Sequence, residues 1–134
     1  MRRAWLGLAT LLALAGGSCN GNETGPVAGE LAVRFATPST DDRALVLRLV
    51  GPQTGVRSTP WQSYGVYQSS TTGDTTVIAV VAPQGSALGA GELVRFSVPD
   101  TRKAGSYTVT LSQVAGADYR LRDVRLYGVV VRKP

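Results

Sequence analysis

From residue 29 onward, apolar side chains recur at every second position, and this alternation constrains the fold more than any other feature of the chain. Leu31, Val33 and Phe35 alternate with Ala32, Arg34 and Ala36. Leu45, Leu47 and Leu49 alternate with Val46, Arg48 and Val50, and Val94, Phe96 and Val98 with Arg95 and Ser97. Tyr107, Val109 and Leu111 alternate with Thr108, Thr110 and Ser112. A period of two sends successive side chains to opposite faces of an extended strand. Two further runs are strand-like: VIAVV at 77–81, continuously apolar as expected of a central strand covered on both faces, and LYGVVV at 126–131. Turn-forming clusters separate the runs: PSTDD, GPQTG, TTGD, APQGSALGAG, PDTRKAG and VAGAD. No window after residue 20 sustains a helical period. Short strands at regular spacing predict an all-β antiparallel sandwich or barrel. Gly105-Ser106-Tyr107, opening a strand after a polar loop, points to the sandwich. It resembles the tyrosine corner of Greek-key sandwiches, whose phenol bonds back to the loop backbone; an ordinary core tyrosine is the other reading.

The first residues are of another kind. Arg2 and Arg3 precede an apolar run from Ala4 to Ala15, then Gly16, Gly17, Ser18 and the single cysteine, Cys19. Charge, apolar stretch and small residues in that order are the layout of an export signal, and the run is shorter than the roughly 20 residues that span a bilayer. The segment around Cys19 resembles the lipobox of bacterial lipoproteins, with Gly16 standing where Leu, Val or Ile is usual. The resemblance implies cleavage before Cys19 and a lipid (palmitate) on that residue, which would tether the protein to a cell membrane or outer membrane; a plain signal peptide with an incidental cysteine is the alternative. The expected organisation is a cleaved signal over 1–18, a flexible Gly/Asn/Pro tether over 19–28 and one β-sandwich domain over 29–134. With Arg2 and Arg3 removed, twelve basic and nine acidic residues leave about +3. Export, and the absence of any basic run longer than two, argue against a nucleic-acid partner. A mildly basic surface suits anionic lipid or polysaccharide.

The segment from Val77 to Asp118, with GELVRFSV, AGSYTVTL and VAGAD in succession, resembles the C-terminal half of cohesin domains. That resemblance implies a β-sandwich of the carbohydrate-binding-module kind. The best-known members bind dockerin modules.

Residue types narrow the chemistry. One cysteine and no histidine exclude an internal disulfide, a cysteine zinc site and a Ser-His-Asp triad. No phosphate-binding glycine loop is present, so neither an enzyme nor a cofactor is expected. Glu30 and Glu92 head GELAVRF (29–35) and GELVRF (91–96); nothing marks a facing carboxylate pair of the kind glycoside hydrolysis needs, and these two are the residues whose substitution would test a hydrolase. Asp41, Asp42 and Asp74 are scattered turn carboxylates without the spacing of a calcium loop, and no metal site is expected. Arg120, Arg122, Arg125, Arg132 and Lys133 form a basic group, with Arg120 and Arg122 on what looks like a solvated strand face.

The leading binding candidate is TPWQSYGVYQSSTTGD at 59–74, where Trp61, Tyr64 and Tyr67 lie three residues apart beside Gln, Ser and Thr. Such rings suit sugar stacking or a protein hot spot. The other reading makes Trp61 and one tyrosine core residues of a central strand, on which at most two of the three rings share a face. The two GEL segments read as two strands with one recipe, in the two halves of one sandwich: inward Val and Phe, outward Arg, and a one-residue gap that turns Leu31 inward and Leu93 outward. The expected function is an exported, membrane-anchored lipoprotein displaying a non-catalytic module that binds a protein or a cell-envelope glycan. The alternative is a structural subunit of an envelope or surface complex that pairs through a sheet edge.

Overall fold

The structure is a computed structural model that describes residues 25–70 and 73–134; Cys19 and the expected signal over 1–18 lie outside the described residues. These form eight strands: β1 (Gly29–Ala36), β2 (Asp42–Val50), β3 (Thr54–Ser58), β4 (Gly65–Ser70), β5 (Thr75–Val81), β6 (Gly91–Val98), β7 (Thr108–Gly116) and β8 (Gly128–Arg132). Two short 3-10 helices, η1 (Thr101–Ser106) and η2 (Val124–Leu126), flank β7. All paired strands are antiparallel, in one sheet of order β3–β6–β1–β8 and a second of order β4–β5–β2–β7. Around the sandwich β3, β4 and β5 follow one another and β6 returns beside β3, which is the Greek-key arrangement. The chain is thus an all-β antiparallel Greek-key sandwich, one of the two architectures its alternation predicts.

The alternating residues fill the space between the sheets. Leu31, Val33 and Phe35 of β1 and Val94, Phe96 and Val98 of β6 meet Leu45, Leu47 and Leu49 of β2 and Ile78 and Val80 of β5. The VIAVV run departs from its expected burial. Ile78 and Val80 are buried, but Val77 and Ala79 are only half-buried and Val81 is exposed. β5 is central in its sheet yet covered on one face, because no layer lies outside the second sheet among the described residues.

The two GEL strands are direct neighbours rather than occupants of separate halves. β1 and β6 pair antiparallel with Leu31 opposite Phe96, Val33 opposite Val94 and Arg34 opposite Glu92. The register shifts at Val33/Arg34, where β6 carries the extra residue Leu93. At this β-bulge Leu93 and Val94 are both fully buried, so Leu93 points inward, contrary to its expected phase. A bulge sets two residues of one strand against one of its partner and restores the alternation on either side.

Tyr107 caps η1 rather than opening a strand, and β7 begins one residue later. Its ring is buried against Phe96, and its phenol donates to the Pro52 carbonyl in the β2–β3 loop, not to its own loop. The bond therefore joins two loops distant in sequence, which is not the local tyrosine corner. The 119–122 segment also departs from a strand face. Tyr119 sits at φ 62° in the turn after β7, and Leu121 makes an isolated bridge to Ala115. At the start of the described chain, Val27 is tied to η1: its N–H donates to Asp100 Oδ1 (3.3 Å) and its carbonyl accepts from the Thr101 N–H (2.8 Å).

Candidate functional site

The three aromatic candidates part company in the fold. Tyr64 is 7% exposed and belongs to the core, where its hydroxyl accepts a hydrogen bond from the Gly89 N–H (3.2 Å). Tyr67 is 67% exposed on the edge strand β4. It lies opposite Ala79, whose neighbours Ile78 and Val80 are buried, so its ring stands on the outer face of the second sheet. Trp61 is 62% exposed and lies instead over the first sheet, with the Arg95 guanidinium 5.2 Å from its ring centre. The three rings therefore form no common surface. Only Trp61 sits beside a concentration of charge.

Its position follows from the local sequence. Thr59-Pro60-Trp61-Gln62 is a β-turn closed by the Gln62 N–H donating to the Thr59 carbonyl (3.2 Å), with proline in the second position that such turns favour. Ser58 Oγ donates to the Gln62 carbonyl (2.9 Å) and accepts from the Tyr64 N–H (3.1 Å), which ties down both ends of the turn. The buried Thr59 hydroxyl donates to Glu92 Oε2 (2.9 Å), and Arg95 Nε donates to Glu92 Oε1 (2.5 Å). Arg95 then meets the Trp61 ring. Turn, carboxylate, guanidinium and indole form a closed ring of contacts that holds Trp61 in place before any partner arrives. Such preorganisation reduces the ordering cost of binding.

The outer face of the first sheet extends the site. Register places Arg57 of β3 opposite Arg95 of β6, Arg95 opposite Ala32 of β1, and Ala32 opposite Arg132 of β8. One cross-strand row thus carries three arginines over the full width of the sheet. Arg34 lies on the same face in the next row, between Glu92 and Val130. Like charges directly opposite one another destabilise a sheet; here Glu30 bridges Arg57 and Arg95, and Glu92 neutralises Arg95 further. The hydrogen bond to Glu92, the largest influence, raises Arg95 above its ordinary pKa. Ala32 is only 1% exposed despite facing outward, so neighbouring side chains lie across it.

The remaining candidates take other roles. Glu30 and Glu92 are held by arginines on an open sheet face rather than facing each other across a cleft. Asp42 is fully buried, accepting from the Tyr127 hydroxyl (2.8 Å) and from the Thr37 hydroxyl. Asp41 pairs with Arg122 (3.0 Å) at that same end. Asp74 lies at the other end of β2, just before Thr75, which pairs with Val50. The length of β2, nine residues or roughly 30 Å, keeps these carboxylates from sharing an ion. Among the described residues no cluster of three potential metal ligands occurs. The C-terminal basic group is dispersed: Arg122 pairs with Asp41 and Asp118, Arg125 with Asp123, and Arg132 joins the first-sheet row.

Sequence reasoning missed this face because its four arginines, Arg34, Arg57, Arg95 and Arg132, come from four separate strands. The outward phase of Arg34 and Arg95 was legible, but their neighbours depend on strand order. It also missed an open cleft of about 520 Å³ at the end of the sandwich nearest η1, lined by Gln53, Thr54, Asp74, Thr76 and Ser97 among others. Gln53 Nε2 donates there to Thr76 Oγ1 (2.8 Å).

Comparison with known proteins gave no match to this chain among family models, curated proteins or solved structures. The chain is placed by its architecture, as a Greek-key β-sandwich with an arginine- and tryptophan-bearing outer sheet face.

Proposed function

We propose that this chain is an exported, membrane-anchored lipoprotein whose β-sandwich is a non-catalytic binding module, with the outer face of the first sheet as its binding surface. The observation that carries the reading is Trp61, an exposed indole fixed by a closed turn and by the Glu92–Arg95 pair. Rigid aromatic and arginine side chains dominate binding surfaces, and Trp61 is held beside Arg95 on a face rich in arginine. The partner is a cell-envelope glycan or a protein. Cys19 supplies the anchor through the lipobox-like start of the sequence.

Capture of the full-length protein on isolated envelope polysaccharide or on a partner protein tests the surface. Trp61→Ala should weaken it roughly three- to tenfold, and Tyr67→Ala should leave it unchanged. Equal effects of both would contradict the assignment. Radiolabelled palmitate tests the anchor: incorporation should vanish in Cys19→Ala, and persistence of the label would overturn it.

A second reading has its own observation. β4 is an edge strand of sequence GVYQSS, without charge or proline on it, and natural edges usually carry such guards. Pairing of that edge with a partner strand would make the chain a structural subunit of an envelope complex.

A further inference from the structure

We propose that the arginine row on the first sheet recognises an extended polyanionic glycan, a linear polysaccharide carrying carboxylate, sulfate or phosphate groups. The inference rests on the binding-module reading and names its ligand class. Four arginines face outward on this sheet, Arg34, Arg57, Arg95 and Arg132, against two glutamates. Glu30 and Glu92 are taken up by Arg57 and Arg95 on the β3–β6 side. Arg34 and Arg132, on the β1–β8 side, are exposed and have no acidic partner among the described residues. They sit one strand apart and two positions along, a diagonal separation of about 7–8 Å at the backbone. Their charge is therefore left for a ligand.

The layout favours a chain over a single small anion. The row crosses three strand spacings, about 14 Å. The indole stands near one end of it and the two unpaired arginines at the other. A polymer lying across the strands can set a ring against the exposed side of Trp61 and its acidic groups against Arg34 and Arg132, where guanidinium and acid groups make paired hydrogen bonds. A lipid surface fits less well. Membrane-binding faces combine cations with an apolar wedge that enters the bilayer, whereas here Trp61 is drawn against Arg95 and two carboxylates lie within the face. A plane of anionic headgroups would meet those carboxylates; a linear chain passes beside them.

Equilibrium binding of the full-length protein in nonionic detergent tests the inference, with polygalacturonate and dextran sulfate as polyanions and with methyl-esterified polygalacturonate and plain dextran as uncharged counterparts. Phosphatidylglycerol in mixed micelles of the same detergent serves as the lipid probe, with the arginine variants separating headgroup binding from insertion of the anchor. At least one polyanion should bind, its counterpart at least about tenfold more weakly, with affinity falling as salt screens the charges. The double variant Arg34→Gln/Arg132→Gln should lose about tenfold; neither residue belongs to the ring that holds Trp61, and an unchanged melting temperature confirms its fold. Arg48→Gln removes one charge, half as many as the double variant, from the outer face of the second sheet and should change affinity less than about twofold; a loss of about threefold, the same per charge as in the double variant, counts as equal. Equal loss in Arg48→Gln reduces the effect to net charge and overturns the inference. So does tighter binding to the phosphatidylglycerol micelles that depends on Arg34 and Arg132, or no binding to either polyanion. Capture of an uncharged glycan or a protein partner that depends on Trp61 but not on Arg34 and Arg132 overturns the ligand class and leaves the binding-module reading standing. Loss of the Trp61 dependence defeats both.

Discussion

Gly51 is the residue at which a single methyl group would be felt most sharply. It follows β2 at φ 140°, and a Cβ there would lie 2.3 Å from the Tyr107 ring. Gly51→Ala should therefore destabilise the fold by about 2–4 kcal/mol, from backbone strain and overpacking together. Chemical denaturation measures this, and a change below about 0.5 kcal/mol would mean that the Tyr107–Pro52 clasp is absent. A polar counterpart sits at the far end of the sandwich. Burial, the main influence, raises the Tyr127 phenol above its ordinary pKa, so it remains a donor to Asp42 at neutral pH. Its ring stacks on Phe35 at 5.7 Å. Tyr127→Phe keeps the stack and removes the donor, leaving the buried Asp42 carboxylate with fewer partners. A loss of about 1–3 kcal/mol is expected; no loss would show that Asp42 is satisfied by other groups.

At the scale of elements, the bulge in β6 is the clearest lesson. GELAVRF and GELVRF differ by one residue, and a one-residue shift in a strand exchanges its faces. The alternation alone thus sends Leu93 to solvent. Pairing with β1 settles the matter differently, because the bulge absorbs the mismatch and buries Leu93 beside Val94. Leu93→Ala should cost about 2–5 kcal/mol, as for a core leucine; a near-neutral result would restore the outward phase. The strands most visible in the sequence were those with long alternating runs, β1, β2, β6 and β7. β3 and β4 were hidden because they are short, polar edge strands whose burial is slight. Tyr64 and Trp61 could not be told apart by spacing, since the Thr59–Gln62 turn breaks any strand phase between them.

The helix η1 gives a pH signature. Asp100 caps it by accepting from the Arg102 N–H (3.1 Å), and the Arg102 side chain beside it holds the Asp100 carboxyl well below the ordinary carboxylate range. A carboxyl depressed in the folded state contributes stability that is present above its unfolded pKa, about 3.9, and is lost as pH falls toward the folded value. Asp123, held down by Arg125, and Asp118, held down by the Arg120 N–H, act in the same direction from exposed positions. The melting temperature should therefore fall below about pH 4, and Asp100→Asn should flatten that fall. An unchanged acid slope in the variant would show that Asp100 carries none of it.

At the scale of the whole molecule, the two outer faces differ in kind. The second sheet presents Tyr67, Val81 and Val50 with the single charge of Arg48 in their midst. The first presents arginines, two bridging glutamates and one fixed indole. The fold was largely legible in the sequence, because a period of two is a local property. The site was legible only in part: Trp61 stood out by type, but the arginines that share its sheet face meet through strand order, which no local pattern encodes. Binding on the first sheet is what distinguishes the two faces in the proposed function. Backbone and indole chemical shifts of the isotope-labelled full-length protein, titrated with a polyanionic glycan, test it most directly. Shifts should concentrate on Arg34, Arg57, Trp61, Arg95 and Arg132 while Val46, Arg48, Tyr67 and Ala79 stay still. Shifts centred on the second sheet, or spread evenly over both, would contradict it.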